Sequence, residues 1–442
     1  MAWGSSSLRS CTSLWERLER NDPSLTDLFI LPTKTVTKAD WERCVHAISK
    51  HGAQRYLRSI HASGHAIDQE SLQKLSTVLH ETSLQVSWDE LAIGDSNLGS
   101  DGVTALVSTW NQDTQIESLD LSYKSLGHTG LKNLLNWAQA SKSLTKLDLS
   151  RNLDLVKGGT ADTVLFSDSL QCLLLQEVNL SECSLDAESG GLVISLFASA
   201  PLLRIFRLGS NPLGQSVSTS LNRLSPSLVE LSLNNCGLPD ETFPRILPIL
   251  CKLELLEKLD MSQNGLNSTG TVSVAKGLVD GFANLRCLNL AGNPLQSDGV
   301  ATLVQEGCKL RSNNPPLASL DLSSTQCSAR GAHMAIMSSQ VQELRLFDNA
   351  LGSEGFSQLV DTLQGGHAFL YSLDLAGNGA NEDAVVKLLR GLLNTNVGFA
   401  SVLKTVIVGG NQGGPALEDL IEEIKSVRPG IDIARDRLRK KT

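Results

Sequence analysis

One spacing of apolar residues recurs through most of the chain and limits what it can fold into. The clearest copy begins at Leu285, with leucines at offsets 0, 3, 5 and 10 and asparagine at offset 8. Its first part alternates like a short strand, and the part after Gly299 has the spacing of an amphipathic helix. Such a unit cannot bury its apolar face alone, so its neighbours must be copies of itself.

Further copies occupy most of the remaining chain. Their lengths, from 24 to 33 residues, leave room for a whole helix in each copy. Two weaker copies begin near Leu25 and Leu57. The offset-zero residues of the regular copies are Trp88, Ile116, Leu144, Leu175, Leu203, Leu228, Leu256, Leu285, Leu317, Val341, Leu370 and Leu403.

Asparagine recurs at offset 8, where the chain must leave the strand. Its amide can satisfy a backbone donor and a backbone acceptor together, so stacked copies should form a ladder across the turns. We therefore expect these asparagines to have a structural rather than a catalytic role. They are Asn152, Asn211, Asn264, Asn293, Asn349, Asn378 and Asn411.

Glycine recurs four residues after offset 10, as at Gly102 and Gly355, with short polar residues such as Ser100 or Ser353 just before it. We expect each polar residue to cap the helix that it begins, and the glycine to permit a tight approach. No GxxxxGK[ST] or GxGxxG motif follows a strand, so these glycines do not indicate a phosphate loop.

The pattern divides the chain into three segments. Residues 1–24 are a predicted N-terminal capping helix, residues 25–415 the repeat array (25–87 degenerate, 88–415 regular), and residues 416–442 a C-terminal capping helix and basic tail. Strands stack about 4.8 Å apart whereas helices need about 10 Å, so the array should bend. The expected fold is an α/β horseshoe solenoid of about 13–14 repeats, with a parallel β-sheet on the concave face and α-helices on the convex face.

The concave face should carry the function. Offset 4 is aspartate in five copies, which suits a partner with a basic surface, although Leu-Asp-Leu-Ser is also a common sequence in repeats of this kind. Aromatic residues at exposed positions are candidate anchors. The candidate partner-binding residues are Asp120, Tyr123, Asp148, Arg207, Asp260, Asp321, Arg345, Phe347, Tyr371 and Asp374.

Composition excludes several classes of protein. Apolar residues make up 41% and charged residues 19%, as in folded chains, and a net charge of -9 gives no reason to expect nucleic-acid binding. No apolar run approaches the roughly 20 residues that span a membrane, and we see no secretory signal pattern. The 9 cysteines are scattered without CxxC, which indicates a reducing compartment, cytosol or nucleus.

The motifs of common enzymes do not occur. There is no HExxH, GxSxG or kinase set, no Cys/His cluster with metal-ligand spacing, and the 8 histidines are dispersed. We expect no catalytic residues, no metal and no cofactor. The prediction is a monomeric, cytoplasmic, non-enzymatic scaffold that binds a protein partner.

From residue 88 to residue 411 the repeats resemble leucine-rich repeats of the ribonuclease-inhibitor type, and this resemblance implies a binding scaffold. Two weaker resemblances leave alternatives open. The stretch from Leu18 through Asn21-Asp22-Pro23 resembles the start of tropomodulin repeats, which implies actin regulation. Phe347-Asp348-Asn349-Ala350 resembles a turn of Ran GTPase-activating proteins, which implies GTPase activation. The repeats also resemble those of innate-immune receptors, which would leave a stand-alone sensor or scaffold.

Overall fold

The computed structural model describes residues 12–156, 174–198, 200–311, 314–365, 369–393 and 402–435. The chain divides into two compact units, Met1–Leu228 and Val229–Thr442. Both units repeat one pattern of a short strand, a turn and a helix. Unit 1 and unit 2 are considered separately below.

Unit 1 contains seven strands and seven α-helices within the described residues. Short 3₁₀ turns lie at Gly52–Gln54 and Gly214–Ser216. The strands are β1 (Asp27–Phe29), β2 (Ser59–Ser63), β3 (Trp88–Gly94), β4 (Ile116–Asp120), β5 (Lys146–Asp148), β6 (Glu177–Asn179) and β7 (Ile205–Arg207). The helices are α1 (Thr12–Glu19), α2 (Lys38–His51), α3 (Gln69–Ser83), α4 (Gly99–Val107), α5 (His128–Ala140), α6 (Ser189–Ala198) and α7 (Val217–Leu221).

Unit 2 contains eight strands and seven α-helices within the described residues. A π-helical turn, Leu303–Cys308, continues α10, and 3₁₀ turns lie at Asp240–Thr242 and Gly391–Leu393. The strands are β8 (Glu230–Ser232), β9 (Lys258–Asp260), β10 (Cys287–Asn289), β11 (Ser319–Asp321), β12 (Glu343–Arg345), β13 (Ser372–Asp374), β14 (Thr405–Ile407) and β15 (Asp432–Ala434). The helices are α8 (Phe243–Leu250), α9 (Ser268–Asp280), α10 (Gln296–Thr302), α11 (Ala329–Ser338), α12 (Gly352–Gly365), α13 (Glu382–Arg390) and α14 (Pro415–Val427).

Within each unit, every strand pairs in parallel with the next strand along the chain. The residue at offset 3 lies in register with its counterparts, as Leu91 does with Leu119 in unit 1 and Leu288 with Leu320 in unit 2. These side chains are at most 2% exposed and form the apolar layer between strands and helices. The predicted fold class, an α/β leucine-rich repeat solenoid, is therefore confirmed.

Strand β15 was not predicted. Its residues had been assigned to the cap and basic tail, yet Ile433 lies in register with Val406 of β14 and is only 5% exposed. No further apolar positions at the repeat spacing follow Ile433, so the repeat pattern could not identify this strand. The tail beyond Arg435 and the first eleven residues of the capping segment lie outside the described residues. Helix α1 lies in the predicted capping segment and buries Trp15 and Leu18.

The asparagine ladder is confirmed in atomic detail. Asn293 is fully buried, and its Oδ1 accepts the backbone N–H groups of Asn264 (3.1 Å) and Leu266 (3.2 Å) in the preceding turn. Its Nδ2 donates to the carbonyls of Met261 (3.0 Å) and Leu290 (2.9 Å). One side chain thus satisfies four buried backbone groups, two of each kind, and joins consecutive repeats.

The expectation for the polar residues at the helix starts was wrong about which helix they cap. The Ser100 hydroxyl accepts the N–H of Gly127 (2.9 Å), just before α5, and the Ser353 hydroxyl accepts that of Asn381 (2.9 Å), just before α13. Each cap therefore acts on the next repeat. The bond from Gly127 to Ser100 requires the starts of α4 and α5 to lie close together. Glycine at position 130 permits this approach, because a Cβ on Gly130 would lie only 2.8 Å from the Ser100 Cα.

Three nearly or partly buried arginines satisfy carbonyl groups where helices lead into strands. Arg311 is 4% exposed, and its Nη2 donates to the carbonyls of Phe282 (2.6 Å), at the end of the preceding repeat, and Leu285 (3.0 Å), at the start of its own repeat. Arg55 donates to the Val86 carbonyl of the following repeat, and Arg428 donates to the Leu392 carbonyl of the preceding repeat. These arginine side chains therefore satisfy backbone carbonyls near the starts of the strands, whereas the asparagine ladder satisfies backbone groups in the turns that follow the strands.

The cysteines of the core are free thiols, and several are completely enclosed. Burial raises the pKa of Cys44 and of Cys308 to about 12, far above the usual value of 9.0. A thiol held protonated in this way is a small apolar filler rather than a nucleophile.

We predict that Asn293→Ala lowers the free energy of unfolding by about 2–5 kcal/mol, because four buried backbone groups lose their partner. Asn284→Ala, at the last residue of the preceding repeat, is the matched control. Asn284 is exposed and makes one bond, to the Glu254 carbonyl. It should cost less than about 1 kcal/mol. Urea denaturation of both variants measures the difference, and equal losses would contradict the role of the ladder.

We also predict an alkaline loss of stability that depends on the buried thiols. The folded state keeps Cys44 and Cys308 protonated up to about pH 12, whereas the unfolded chain releases these protons near pH 9.0. Their contribution is therefore present below pH 9 and is lost as pH rises above it. Between pH 8 and pH 10 the wild type should lose about 1–3 kcal/mol more than Cys44→Ala/Cys308→Ala. Equal losses in urea denaturation would show that the folded state also releases these protons.

Candidate functional site

The candidate residues lie on the strand face, which we define for each unit as the outward side chains at offsets 1, 2, 4, 6 and 7. In unit 1 the register at offset 4 runs from Asp120 through Asp148 and Asn179 to Arg207. The corresponding row in unit 2 is Asp260, Asn289, Asp321, Arg345 and Asp374. Each unit therefore brings its predicted offset-4 residues into one continuous row.

The aspartates of these rows have a structural role that sequence reasoning missed. The Oδ1 of Asp120 accepts the N–H of Ser122 two residues later (2.7 Å), and Asp260 does the same for Ser262 (2.9 Å). Short side chains with an acceptor oxygen favour such turns at strand ends. The same bond recurs at Asp148, Asn179, Asn289, Asp321 and Asp374. The recurrence of aspartate at offset 4 is therefore explained first by the turn.

The second oxygen of several aspartates is also engaged. Asn179 donates to Asp148 Oδ2 (2.9 Å) and Asn289 donates to Asp260 Oδ2 (3.0 Å). In unit 2 the Arg345 guanidinium lies 3.4 Å from an oxygen of Asp321. The row is thus a chain of linked polar groups rather than a set of free carboxylates.

A buried cation lies beneath the acidic part of unit 1. Lys124 occupies offset 8, the ladder position, is 2% exposed, and donates from Nζ to the Ser63 hydroxyl (3.1 Å). Burial lowers the pKa of Lys124, whereas the carboxylates of Asp120, Asp95 and Asp148 favour its charged form. The buried ammonium group of Lys124 therefore offsets part of the negative charge predicted for this surface.

The candidate aromatic residues differ in accessibility. Tyr123, in the turn after β4, is 63% exposed, and Tyr371, just before β13, is 53% exposed. The Phe347 ring instead lies against Gly377, where an added Cβ would come within 2.7 Å of its Cε2. Asp374 is only 4% exposed, so it is the least accessible of the candidates. Tyr123 and Tyr371 are therefore the accessible aromatic residues among the candidates.

The strand face of unit 1 begins with apolar residues that the predicted set omitted. Phe29 of β1 is 62% exposed and Leu31 is 58% exposed, and Phe29 lies in register with His61, which precedes Ala92 in the same row. The weak copy starting at Leu25 contains the signal, because Phe29 stands at its offset 4.

Other features of the described residues do not indicate chemistry. No group of three or more His, Cys, Asp or Glu side chains could hold a metal there, and no helix among them is long and apolar enough to cross a membrane. Asn349, in the turn that resembles Ran GTPase-activating proteins, is 4% exposed and accepts the N–H groups of Thr325 and Cys327. The hydrogen bonds of the asparagine ladder therefore explain why asparagine occupies position 349.

Cavities lie beside helices within the described residues of both units. A cavity of about 580 Å³ in unit 1 is lined by residues of α4, of the connection that follows α4, and of α5, among them Trp110 in the connection and Trp137 in α5. One of about 360 Å³ in unit 2 lies between α8 and α9 beside Cys251. Burial raises the pKa of the Cys251 thiol to about 11, so this cavity does not present an activated nucleophile.

We predict that Asp260→Ala destabilises the chain by about 1–3 kcal/mol, because the turn bonds to Ser262 and the bond from Asn289 are lost. Asp260→Asn is the matched control, since Asn289 makes the same turn bond naturally. It should cost less than about 1 kcal/mol in urea denaturation. If both substitutions cost the same, the carboxylate charge rather than the turn explains the residue.

Comparison with known proteins agrees with this geometry. The family model described as "Leucine Rich repeat" matches residues 283–304. Ribonuclease inhibitor of Sus scrofa is 24% identical to this chain over 418 residues, and the match covers 78% of this chain and 88% of that protein. Ribonuclease inhibitor of Mus musculus is 24% identical over 378 residues, and the match covers 76% of this chain and 80% of that protein. Protein NLRC5 of Mus musculus is 29% identical over 205 residues, 46% of this chain and 10% of that protein. With the strand–turn–helix repeats of both units, these matches show that the chain is built of leucine-rich repeats and is similar to the ribonuclease inhibitors.

Proposed function

We propose that this chain is a monomeric, cytoplasmic, non-enzymatic scaffold that binds another protein through the strand face of its repeats. Leucine-rich repeat proteins are in general protein-binding scaffolds, and the ribonuclease inhibitors among the relatives are named for acting on another protein. The proposed partner presents a basic surface.

The charge of the strand face carries the proposal. At offsets 2 and 4, five carboxylates face two cations in unit 1 and six carboxylates face two cations in unit 2. The carboxylates are Asp27, Glu90, Asp120, Asp148 and Glu177 in unit 1, and Glu230, Asp260, Asp321, Glu343, Asp374 and Asp432 in unit 2; the cations are Lys146, Arg207, Lys258 and Arg345. An acidic surface of this kind attracts a basic partner and repels an acidic one.

The residues that stabilise the fold are distinct from the exposed residues of the strand face, which supports binding through that face. The ladder, the caps in neighbouring repeats and the buried arginines satisfy backbone groups of the turns and helix ends, so substitutions there should act on stability. Exposed strand-face residues such as Tyr123, Glu343 and Tyr371 are not part of that framework. Such protruding side chains on a rigid sheet are suited to contacting a partner.

We predict that removing three strand-face charges weakens partner capture while the chain stays folded. The variant combines Asp120→Asn, Asp260→Asn and Glu343→Gln, in which the two amides keep the turn bonds. Each lost ion pair should cost about 0.2–1 kcal/mol, so the three substitutions together should lower the affinity by about 3- to 140-fold. Quantitative affinity capture from lysate, followed by titration with the purified captured protein, measures the loss.

The matched control removes the same charge from helix positions, by Glu81→Gln, Glu306→Gln and Asp361→Asn. These residues are exposed on α3, on the π-helical turn and on α12. This control should capture the partner as well as the wild type does. Added salt should weaken capture by the wild type, because it screens the charges of the strand face. Loss in the control with retention in the strand-face variant would move the binding surface to the helices and refute the proposal.

A further inference from the structure

The first strand of unit 1 carries an exposed apolar cluster at positions where the other strands of this unit carry polar or small side chains. Phe29 and Leu31 are 62% and 58% exposed, and they are two residues apart on the same side of the chain. At offset 6 the following strands of unit 1 present only Ser63, Gly94 and further serines or glycine. The neighbours of Leu31 in the offset-6 row therefore have small side chains, so the Leu31 side chain protrudes above them.

One face of the Phe29 ring is already used. The ring stacks on the imidazole of His61 with centroids 4.0 Å apart and an interplanar angle of 10°. Phe29 belongs to the first strand of the unit, so no further strand among the described residues covers the opposite face of the ring. A flat aromatic face directed away from the sheet is a binding surface for an apolar group or a cation.

Carboxylates flank this stack from both neighbouring strands. Asp27 Oδ1 lies 3.9 Å from His61 Nε2, and Glu90 Oε1 lies 3.5 Å from His61 Nδ1. Both acids keep a large exposed fraction, 47% for the Asp27 side chain and 43% for that of Glu90. The nearest charged groups on the outward positions of β1 to β3 are therefore acidic, on either side of an aromatic stack.

We propose that this cluster, named the Phe29 patch (Asp27, Phe29, Leu31, His61 and Glu90), binds a segment of the partner protein that presents an arginine beside an apolar side chain. The inference rests on the proposed function and names the chemistry that the strand face of unit 1 recognises. The guanidinium stacks on the exposed ring of Phe29 and donates to Asp27, while the apolar neighbour packs on Leu31.

Arginine fits this patch better than the other basic residue. Its guanidinium is planar, stacks on aromatic rings, and presents a fork of donors to a carboxylate, whereas the lysine ammonium is a compact and strongly hydrated charge. An acidic segment would meet Asp27 and Glu90 with like charge. A purely apolar segment would leave both carboxylates without compensation.

The test is selection of a random peptide library on the full-length protein, followed by titration of the enriched peptides by fluorescence anisotropy. Enriched peptides should contain arginine next to leucine or an aromatic residue. Phe29→Ala should weaken their binding about 30-fold, the loss expected of a central aromatic anchor. Replacement of the peptide arginine by lysine should weaken binding several-fold although the charge is kept.

Two further variants separate the charges from the ring. Asp27→Asn combined with Glu90→Gln should weaken the same peptides by about 2- to 30-fold and reduce the salt dependence of binding. Phe369→Ala, which removes a 54% exposed phenylalanine of unit 2 that lies outside the strand face, is the matched control and should leave peptide binding unchanged. All variants change exposed side chains, so thermal unfolding should confirm an unaltered fold.

Several outcomes would overturn the inference. These are selection of acidic peptides, selection without a consensus, and binding that survives Phe29→Ala. Self-association in sedimentation that Phe29→Ala abolishes would assign the patch to a second copy of the chain. If the strand-face charge variant loses the captured partner but Phe29→Ala does not, the proposed function stands and the Phe29 patch is excluded.

Discussion

The hydrogen bonding of asparagine between consecutive turns is the interaction on which the rest of this structure depends. A turn that leaves a buried strand exposes backbone donors and acceptors to an apolar interior, where each unsatisfied group costs about 1–3 kcal/mol. Asn293 satisfies four such groups at once, in two adjacent repeats. Because each asparagine joins its own turn to the preceding one, neighbouring strands within each unit keep their register, and that register places the offset-4 side chains in rows.

This constraint also explains why the acidic residues of the strand face combine structural hydrogen bonds with surface charge. Asp260 uses one oxygen to hold its own turn at Ser262 and the other to accept from Asn289 on the next strand. Its charge remains at the surface while its geometry belongs to the framework. A partner that binds this face therefore meets fixed carboxylates, which lose little conformational freedom on binding.

The regular repeats could be predicted from sequence because their signals are periodic. Leucine spacing gave the strands, and the donor and acceptor capacity of the amide gave the ladder. The cap from Ser100 to the next helix could not be foreseen, because it depends on how closely two helix starts approach. Strand β15 was missed because a single apolar register position such as Ile433 carries no period. The Phe29 patch was missed because its repeat is degenerate, although Phe29 was already at offset 4.

The central claim is that the framework residues specify the fold and the strand face binds the partner. Hydroxyl-radical footprinting of the chain, alone and with its captured partner, tests this most directly. We expect oxidation of Phe29, Tyr123 or Tyr371 on the strand side to fall in the complex, while Val272 on α9, which is 52% exposed, reacts as before. Protection of Val272 with unchanged oxidation of all three aromatic residues would contradict the account.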